Sequence, residues 1–220
     1  GQDAVLSRLV MNDCSNLEAL VQTLRQRIAG QVQQAKTLRV LDEGNAWARS
    51  HGTRYPVAQG PMTRVSDTAA FTATVAKAGG LPFLALSLMR EQSCRELLEA
   101  TVQQIGDKPW GVGLLGFGTP EILNPQLELV KQFKPSVLLL AGGRPSQARP
   151  FIEMGIPTYL HVPSPGLLDL FLKDGATHFV FEGRECGGHV GPRYSFVLWE
   201  QAIALLSQVE QPEKLHVLFA

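Results

Sequence analysis

The sequence predicts a parallel TIM-type (β/α) barrel, preceded by a helical extension and cut off before its eighth strand. Three observations predict it. From residue 54 onward, seven short apolar runs alternate with six amphipathic stretches, the rhythm of βα units joined by right-handed crossovers. The runs are apolar throughout rather than alternating, as strands are when both faces of a parallel sheet are covered. Residues with chemical potential recur just after strand ends, at 60–62, 142–144, 161–164 and 183–189, which is the habit of a barrel's carboxyl face. An open doubly wound sheet is the alternative. Its usual Gly-rich phosphate turn is absent, because the first strand runs into QGPMTRVSD, neither GxGxxG nor GxxxxGK[ST].

Residues 1–53 read as a helical extension or linker and 54–220 as the barrel. In the extension, 16–39 predicts one long helix, because Leu17, Leu20, Val21, Leu24, Ile28 and Val32 recur at three- and four-residue steps. Such a stripe is ordinarily core-facing, and Ser15 is its expected N-cap. A shorter helix over 41–49 comes next. The barrel strands are expected at 56–59, 82–86, 110–115, 136–141, 158–162, 178–182 and 215–220. Helices are expected at 66–78, 91–105, 122–133, 147–154, 166–173 and 196–209, with Gly79, Gly106, Gly155 and Gly175 as stop signals. The chain lacks an initiator Met and ends in LHVLFA, a strand without a loop, and so reads as a segment of a longer polypeptide. Without an eighth strand, strands one and seven keep unpaired edges, which predicts pairing between copies or cover by the N-terminal helix.

Bulk composition excludes several classes. The 20 basic and 20 acidic residues cancel, so bulk charge recruits neither nucleic acid nor an anionic membrane. Three scattered cysteines, Cys14, Cys94 and Cys186, build neither a disulfide framework nor a zinc site. A reducing, cytoplasmic setting is the simplest expectation. No apolar run approaches the ~18 residues of a membrane span.

The densest chemical signal is the stretch EGRECGGHVGPR over 182–193, after a clear strand. Gly183, Gly187, Gly188 and Gly191 let backbone N–H groups approach an anion or the edge of a planar cofactor. His189 at the end of that run is a candidate general base. The second signal is the exit of strand one, where Gly60 and Pro61 fix a sharp turn and Met62 is adaptable enough to lie on a flat ring. His161 ends strand five and either enters the site or packs beside it. Arg144, after strand four, meets either a substrate anion or solvent. His178 and His216 lie within strands and read as packed or surface residues.

Taken in order, these motifs resemble a family. YPVAQGPM, the Ala-Gly-Gly at 78–80 leading into PFLAL, KPWGVGLL, and FVFEG running into RECGGHVGP are similar to the nitronate monooxygenase and flavin-dependent enoyl-reductase superfamily. QGPMTRVSD, HVPSPGLL, FEGRECGGHVGPR and SFVLWE resemble still more the barrel modules of polyketide and polyunsaturated-fatty-acid synthases. The resemblance covers about three-quarters of the chain and implies an FMN-binding barrel. Gly60, Pro61 and Met62 would border the isoalloxazine ring, and Gly187 and Gly188 would approach the cofactor. Gly113 and Glu182 complete the candidate cofactor set, and His189 would be catalytic.

The resemblance implies an FMN-dependent oxidoreductase. It would reduce an enoyl thioester on a carrier protein with NAD(P)H, beside other synthase domains, as a monomer or a homodimer. The alternatives are oxidation of nitronates or small nitro compounds by dioxygen, and a catalytically silent scaffold barrel. Two departures stand out. Gly113 occupies the place where the family commonly carries Asn on strand three. Cys186 replaces the Ala before Gly-Gly-His and reads as a small buried substitute rather than a redox thiol. The family grips the FMN phosphate with loops after strands seven and eight, and the sequence stops at Phe219-Ala220, so the chain as it stands is expected to bind the cofactor weakly or not at all.

Overall fold

A computed structural model describes residues 1–11 and 14–220. The extension holds α1 (Ala4–Met11), α2 (Leu17–Leu38) and α3 (Ala46–His51). The barrel then runs β1 (Ala58–Gln59), α4 (Ala69–Ala78), β2 (Leu81–Ala85), α5 (Glu91–Ile105), β3 (Gly111–Leu115), α6 (Pro120–Phe133) and β4 (Val137–Ala141). It continues with α7 (Pro145–Glu153), β5 (Thr158–Val162), α8 (Pro165–Lys173), β6 (His178–Phe181), α9 (Ser195–Leu206) and β7 (His216–Phe219). The seven strands pair in parallel in their sequence order and form a nearly closed barrel.

Every expected barrel strand and helix is present, and α5 has the expected bounds. Strands β2 to β6 are apolar because both of their faces are largely buried, whereas β1 and β7, at the two edges, are only partly buried. Alternate strand residues face inward, where Leu81, Phe83, Val137, Leu139, Tyr159 and Val180 fill the barrel. Their neighbours Leu84, Val112, Leu138, Leu160, Phe179 and Phe181 pack outward beneath the helices. The hydrophobic effect thus holds the two layers at once. Gly79 ends α4 in the left-handed region (φ 97°), where an added Cβ would meet Arg54 Cβ at 2.7 Å.

The extension departs from expectation at several points. Helix α1 has no counterpart among the expected elements. The cap of α2 is Asn16 rather than Ser15: the Asn16 side chain accepts the Ala19 N–H at 2.9 Å. The helix expected over 41–49 starts instead at Ala46, because Asn45 caps it by accepting the Ala48 N–H, while Arg39–Asp42 and Glu43–Arg54 ion pairs hold the preceding turn. The apolar stripe of α2 is not core-facing among the described residues. None of its residues is buried, and Ile28 is 63% exposed. Periodicity reports an amphipathic helix, but it does not say what covers the apolar side.

Strand β1 pairs only with β2, and β7 only with β6, among the described strands. Helix α3 closes the amino-terminal end of the barrel, where Trp47 packs against the interior cluster.

Candidate active site

The inward register of two adjacent strands builds the site. On β5, Tyr159 and His161 share the inner face, and on β6 and its exit, His178, Val180 and Glu182 do. The strands pair with His161 opposite Val180, so His161 and Glu182 meet at the carboxyl end of the barrel. His161 Nδ1 lies 3.2 Å from Glu182 Oε2, with side chains 14% and 11% exposed. A carboxylate this close favours placing the ring's N–H on Nδ1, facing it.

Both residues line a cavity of about 800 Å³, together with His189, Arg144, Phe117 and Asp174. His189 stands edge-on to Phe117 (ring centroids 6.0 Å) and to His161 (6.5 Å). Arg144 lines the cavity and is exposed to solvent. His161 enters the cavity.

The loop bearing His189 is tied down at its base and open at its tip. Arg184 N–H donates to the Arg193 carbonyl at 2.7 Å, and Gly191 N–H donates to the Gly183 carbonyl at 3.0 Å. Close approach demands glycine at two of these positions. A Cβ on Gly183 would collide with Ser195 Oγ, and one on Gly191 would collide with the Glu182 carbonyl oxygen. Glu185 accepts from Ser195 N–H at 2.9 Å and from its hydroxyl at 2.5 Å. It thus caps α9 from outside, and those bonds hold its carboxyl below the ordinary range. At the tip, a Cβ on Gly187 or Gly188 would meet nothing within 4 Å. Burial pushes the Cys186 thiol up, which keeps it protonated and fits a packing role rather than a redox one.

Gly60, Pro61 and Met62, at the exit of β1, gather separately against Gly113 in the middle of β3, and none of the four lines the cavity. A Cβ on Gly113 would collide with the Pro61 ring. That ring therefore occupies the space that a strand-three side chain would need, which accounts for Gly113. Met62 N–H donates to Ser66 Oγ at 2.7 Å, and its side chain is 39% exposed.

His178 and His216 are packed, one of the two alternatives expected of them, but they belong to a cluster that the sequence concealed. Their rings stack at 4.4 Å and 9°. His216 meets His51 edge-on, and Tyr159 meets His178 at 90°. His51 Nδ1 lies 3.0 Å from the Trp47 carbonyl, which only accepts. Nδ1 therefore carries the proton, and Nε2 accepts from the Tyr159 hydroxyl at 2.9 Å. Trp47 Nε1–H donates to the same hydroxyl at 3.1 Å. Burial pushes His51, His178 and His216 down, His178 to about 3.

Sequence reasoning also missed Gln2. Its amide donates to the Pro192 carbonyl at 3.1 Å and accepts the Tyr194 N–H at 2.9 Å, tying the first residues to the end of the His189 loop. No local pattern announces a contact between positions so far apart in sequence.

No family model and no curated protein sequence matches the chain. Solved structures do. FabK from Thermotoga maritima is 24% identical with a TM-score of 0.67, over 78% of this chain and 52% of that one. A point variant of it is 25% identical with a TM-score of 0.66, over 74% and 53%. Nitroalkane oxidase from Streptomyces ansochromogenes is 17% identical with a TM-score of 0.65, over 77% and 59%. The enoyl reductase domain of MlnA from the macrolactin biosynthesis cluster of Bacillus amyloliquefaciens is 11% identical with a TM-score of 0.62, over 80% and 49%. The chain spans about half the length of the FabK structures it matches. The resemblance to the nitronate monooxygenase and enoyl-reductase barrels, read from short motifs, is thus borne out by structural neighbours of that superfamily.

Proposed function

We propose that this chain is part of an FMN-dependent oxidoreductase that reduces enoyl thioesters with NAD(P)H, the thioester being carried on a partner protein of a synthase. The observation that carries this reading is the convergence of His189, His161 and Glu182 on one cavity at the strand exits. Proton handling for an acyl substrate belongs at that face of a barrel.

The residues present fit the ring of a flavin. The cavity has apolar walls at Phe117, Val190 and Leu167, and the open tip at Gly187 and Gly188 leaves backbone N–H groups accessible. Met62 and Pro61, at the separate β1 exit, do not line this cavity and would border the ring only where it reaches beyond it. Bound there, FMN would supply the hydride chemistry between nicotinamide and substrate. The chain's own residues supply the rest. The Gly-rich loop admits the ring and carries His189 to the rim. Phe117 limits where the His189 ring can swing, and Arg144, beside α7, offers a cation to a substrate anion. The phosphate grip that the resemblance implies belongs to loops after strands seven and eight, so no residue described above is assigned to it. No helix is long and apolar enough to cross a membrane among the described residues.

The test is a purified full-length protein incubated with FMN, desalted, and examined for flavin absorbance and NAD(P)H consumption. We expect retained flavin, NAD(P)H oxidation only when an enoyl thioester is present, and a loss of about 10²–10⁴ in rate for His189→Ala. Oxygen uptake driven by a nitronate without NAD(P)H would transfer the reading to nitronate oxidation. Retention of neither flavin nor activity would leave a scaffold barrel.

A further inference from the structure

We infer that His161 is a second substrate-facing imidazole of this site, and that Glu182 is the positioning residue that sets which of its ring nitrogens faces the cavity. The inference deepens the proposed oxidoreductase reading and rests on it for the identity of the substrate.

The two histidines of the cavity are held differently. His189 is exposed, lies next to Gly187 and Gly188, which have open space around them, and meets only the edges of Phe117 and His161. No carboxylate contact orients it among the described residues. His161 sits on a central strand with both neighbours, Leu160 and Val162, fully buried. Its Nδ1 lies 3.2 Å from Glu182 Oε2. Glu182 is itself fixed by the strand exit, where its N–H reaches back to the Val162 carbonyl and its own carbonyl is crowded by Gly191. A carboxylate at that distance favours the proton on Nδ1. The basic lone pair is then on Nε2, the nitrogen for which no protein partner exists among the described residues.

Preorganisation distinguishes a working imidazole from a bystander, because a fixed ring need not be reoriented when a proton moves. Nε2 takes up a proton from solvent, and Glu182 balances the imidazolium that results. In the reductive direction the imidazolium Nε2–H bond breaks and the substrate α-carbon–H bond forms. That restores neutral imidazole, while the hydride for the β-carbon derives from NAD(P)H. His189, on the open loop, is left to contact the thioester oxygen. His161 is then the substrate-facing group, and Glu182 acts only through it.

The experiment reads ring tautomers directly, by long-range ¹H–¹⁵N NMR on histidine-labelled protein, first alone and then with the crotonyl thioester of N-acetylcysteamine. The wild type should show His161 protonated at Nδ1, with Nε2 unprotonated and moving when the thioester is added. Glu182→Ala should convert His161 to the Nε2-protonated form that free imidazole prefers, and Glu182→Gln, which keeps an acceptor oxygen, should restore Nδ1 protonation. In the flavin-loaded enzyme, His161→Asn should lower kcat about 10²-fold while KM changes little. An Nε2-protonated His161 in the wild type, or a thioester that moves only His189, would overturn the inference. Failure to retain flavin or oxidise NAD(P)H would instead remove the proposed function, and the tautomer result would stand independently of it. A circular dichroism melt of each variant separates these effects from misfolding.

Discussion

The two ends of the barrel use histidine in opposite ways on the same two strands. At the amino-terminal end, His178 on β6 stacks on His216, and Tyr159 on β5 bonds His51, with burial pushing every imidazole down. At the carboxyl end, two residues further along β5, His161 faces Glu182 and a cavity of about 800 Å³. Between them, Val180 and Phe83 fill the interior. What differs is the neighbour. Imidazole among aromatic rings with no carboxylate stays neutral and serves as packing, whereas imidazole against a carboxylate at an open exit is oriented by it toward a cavity. The residue type does not decide between structure and chemistry. Its counter-charge and access to water do.

A stability asymmetry between the ends should result, and the largest effect belongs to the closed end. Tyr159 is fully buried and satisfies both Trp47 and His51. Tyr159→Ala should cost about 3–5 kcal/mol by denaturant titration, as large aromatic truncations do. Tyr159→Phe should cost about 1–3 kcal/mol, because buried His51 and half-buried Trp47 both lose their partner. His161→Asn, at the open end, should cost less than either. If His161→Asn were as destabilising as Tyr159→Ala, the division between a packing end and a working end would fail.

The two ends also differ in how far the sequence announces them. The strands were legible because burial on both faces leaves an unbroken apolar run, and in LPFLA and VLLLA the shortness of the run and the glycines beside it favour strand over buried helix. The positions of Glu182 and His189 on the cavity were legible because a Gly-rich stretch directly after a strand is unusual chemistry in a fixed place, but Glu182 read as a cofactor contact and not as the partner of His161. The His51, His178 and His216 cluster was not legible. Its members come from α3, β6 and β7, His178 and His216 meet only through the β6–β7 register, and each alone looks like an ordinary strand or helix residue. Helix α2 was legible as a helix but not in its exposure, since the same periodicity serves any partner. The space before Gly113 was invisible too, because Pro61 comes from another strand exit.

A smaller effect is the pH dependence that the closed end imposes. Burial lowers His178 to about 3 from an ordinary 6.5, with the His216 and His51 charges acting in the same direction. His51 and His216 are lowered as well, chiefly by burial. The groups facing His178 are His216, His51, Tyr159 and the Thr177 hydroxyl, and no acidic group is among these contacts. In the unfolded chain these imidazoles take up protons below about pH 6.5, while the folded state resists them. The unfolded state then binds more protons, so stability is full above about 6.5 and falls as pH drops toward 3. Glu43 and Glu185 are lowered from 4.5 and add their own loss only below that value. Denaturation midpoints between about pH 4.5 and 6.5 therefore isolate the histidines, and His178→Asn should flatten the slope in that window. An unchanged slope would mean that the cluster opens to water before it titrates.

The smallest predicted effect probes how the open end is tethered. Gln2 makes two hydrogen bonds to the backbone at the end of the His189 loop, both exposed to solvent. An exposed bond of this kind contributes about 0.5–1.5 kcal/mol at most, so Gln2→Ala should leave the global denaturation midpoint nearly unchanged. Its effect should be local. The base of the loop keeps its own ties, through the Arg184 to Arg193 and Gly191 to Gly183 bonds and through Glu185 on Ser195. Only the return segment near Pro192 loses support, and amide exchange there should accelerate while exchange in β5 and β6 does not. Such a pattern would show that the working end is held by separable local contacts, where the packing end is held by one indivisible core. Acceleration spread into the strands would show that the loop and the barrel open as a single unit, and the two ends would then differ in charge but not in cooperativity.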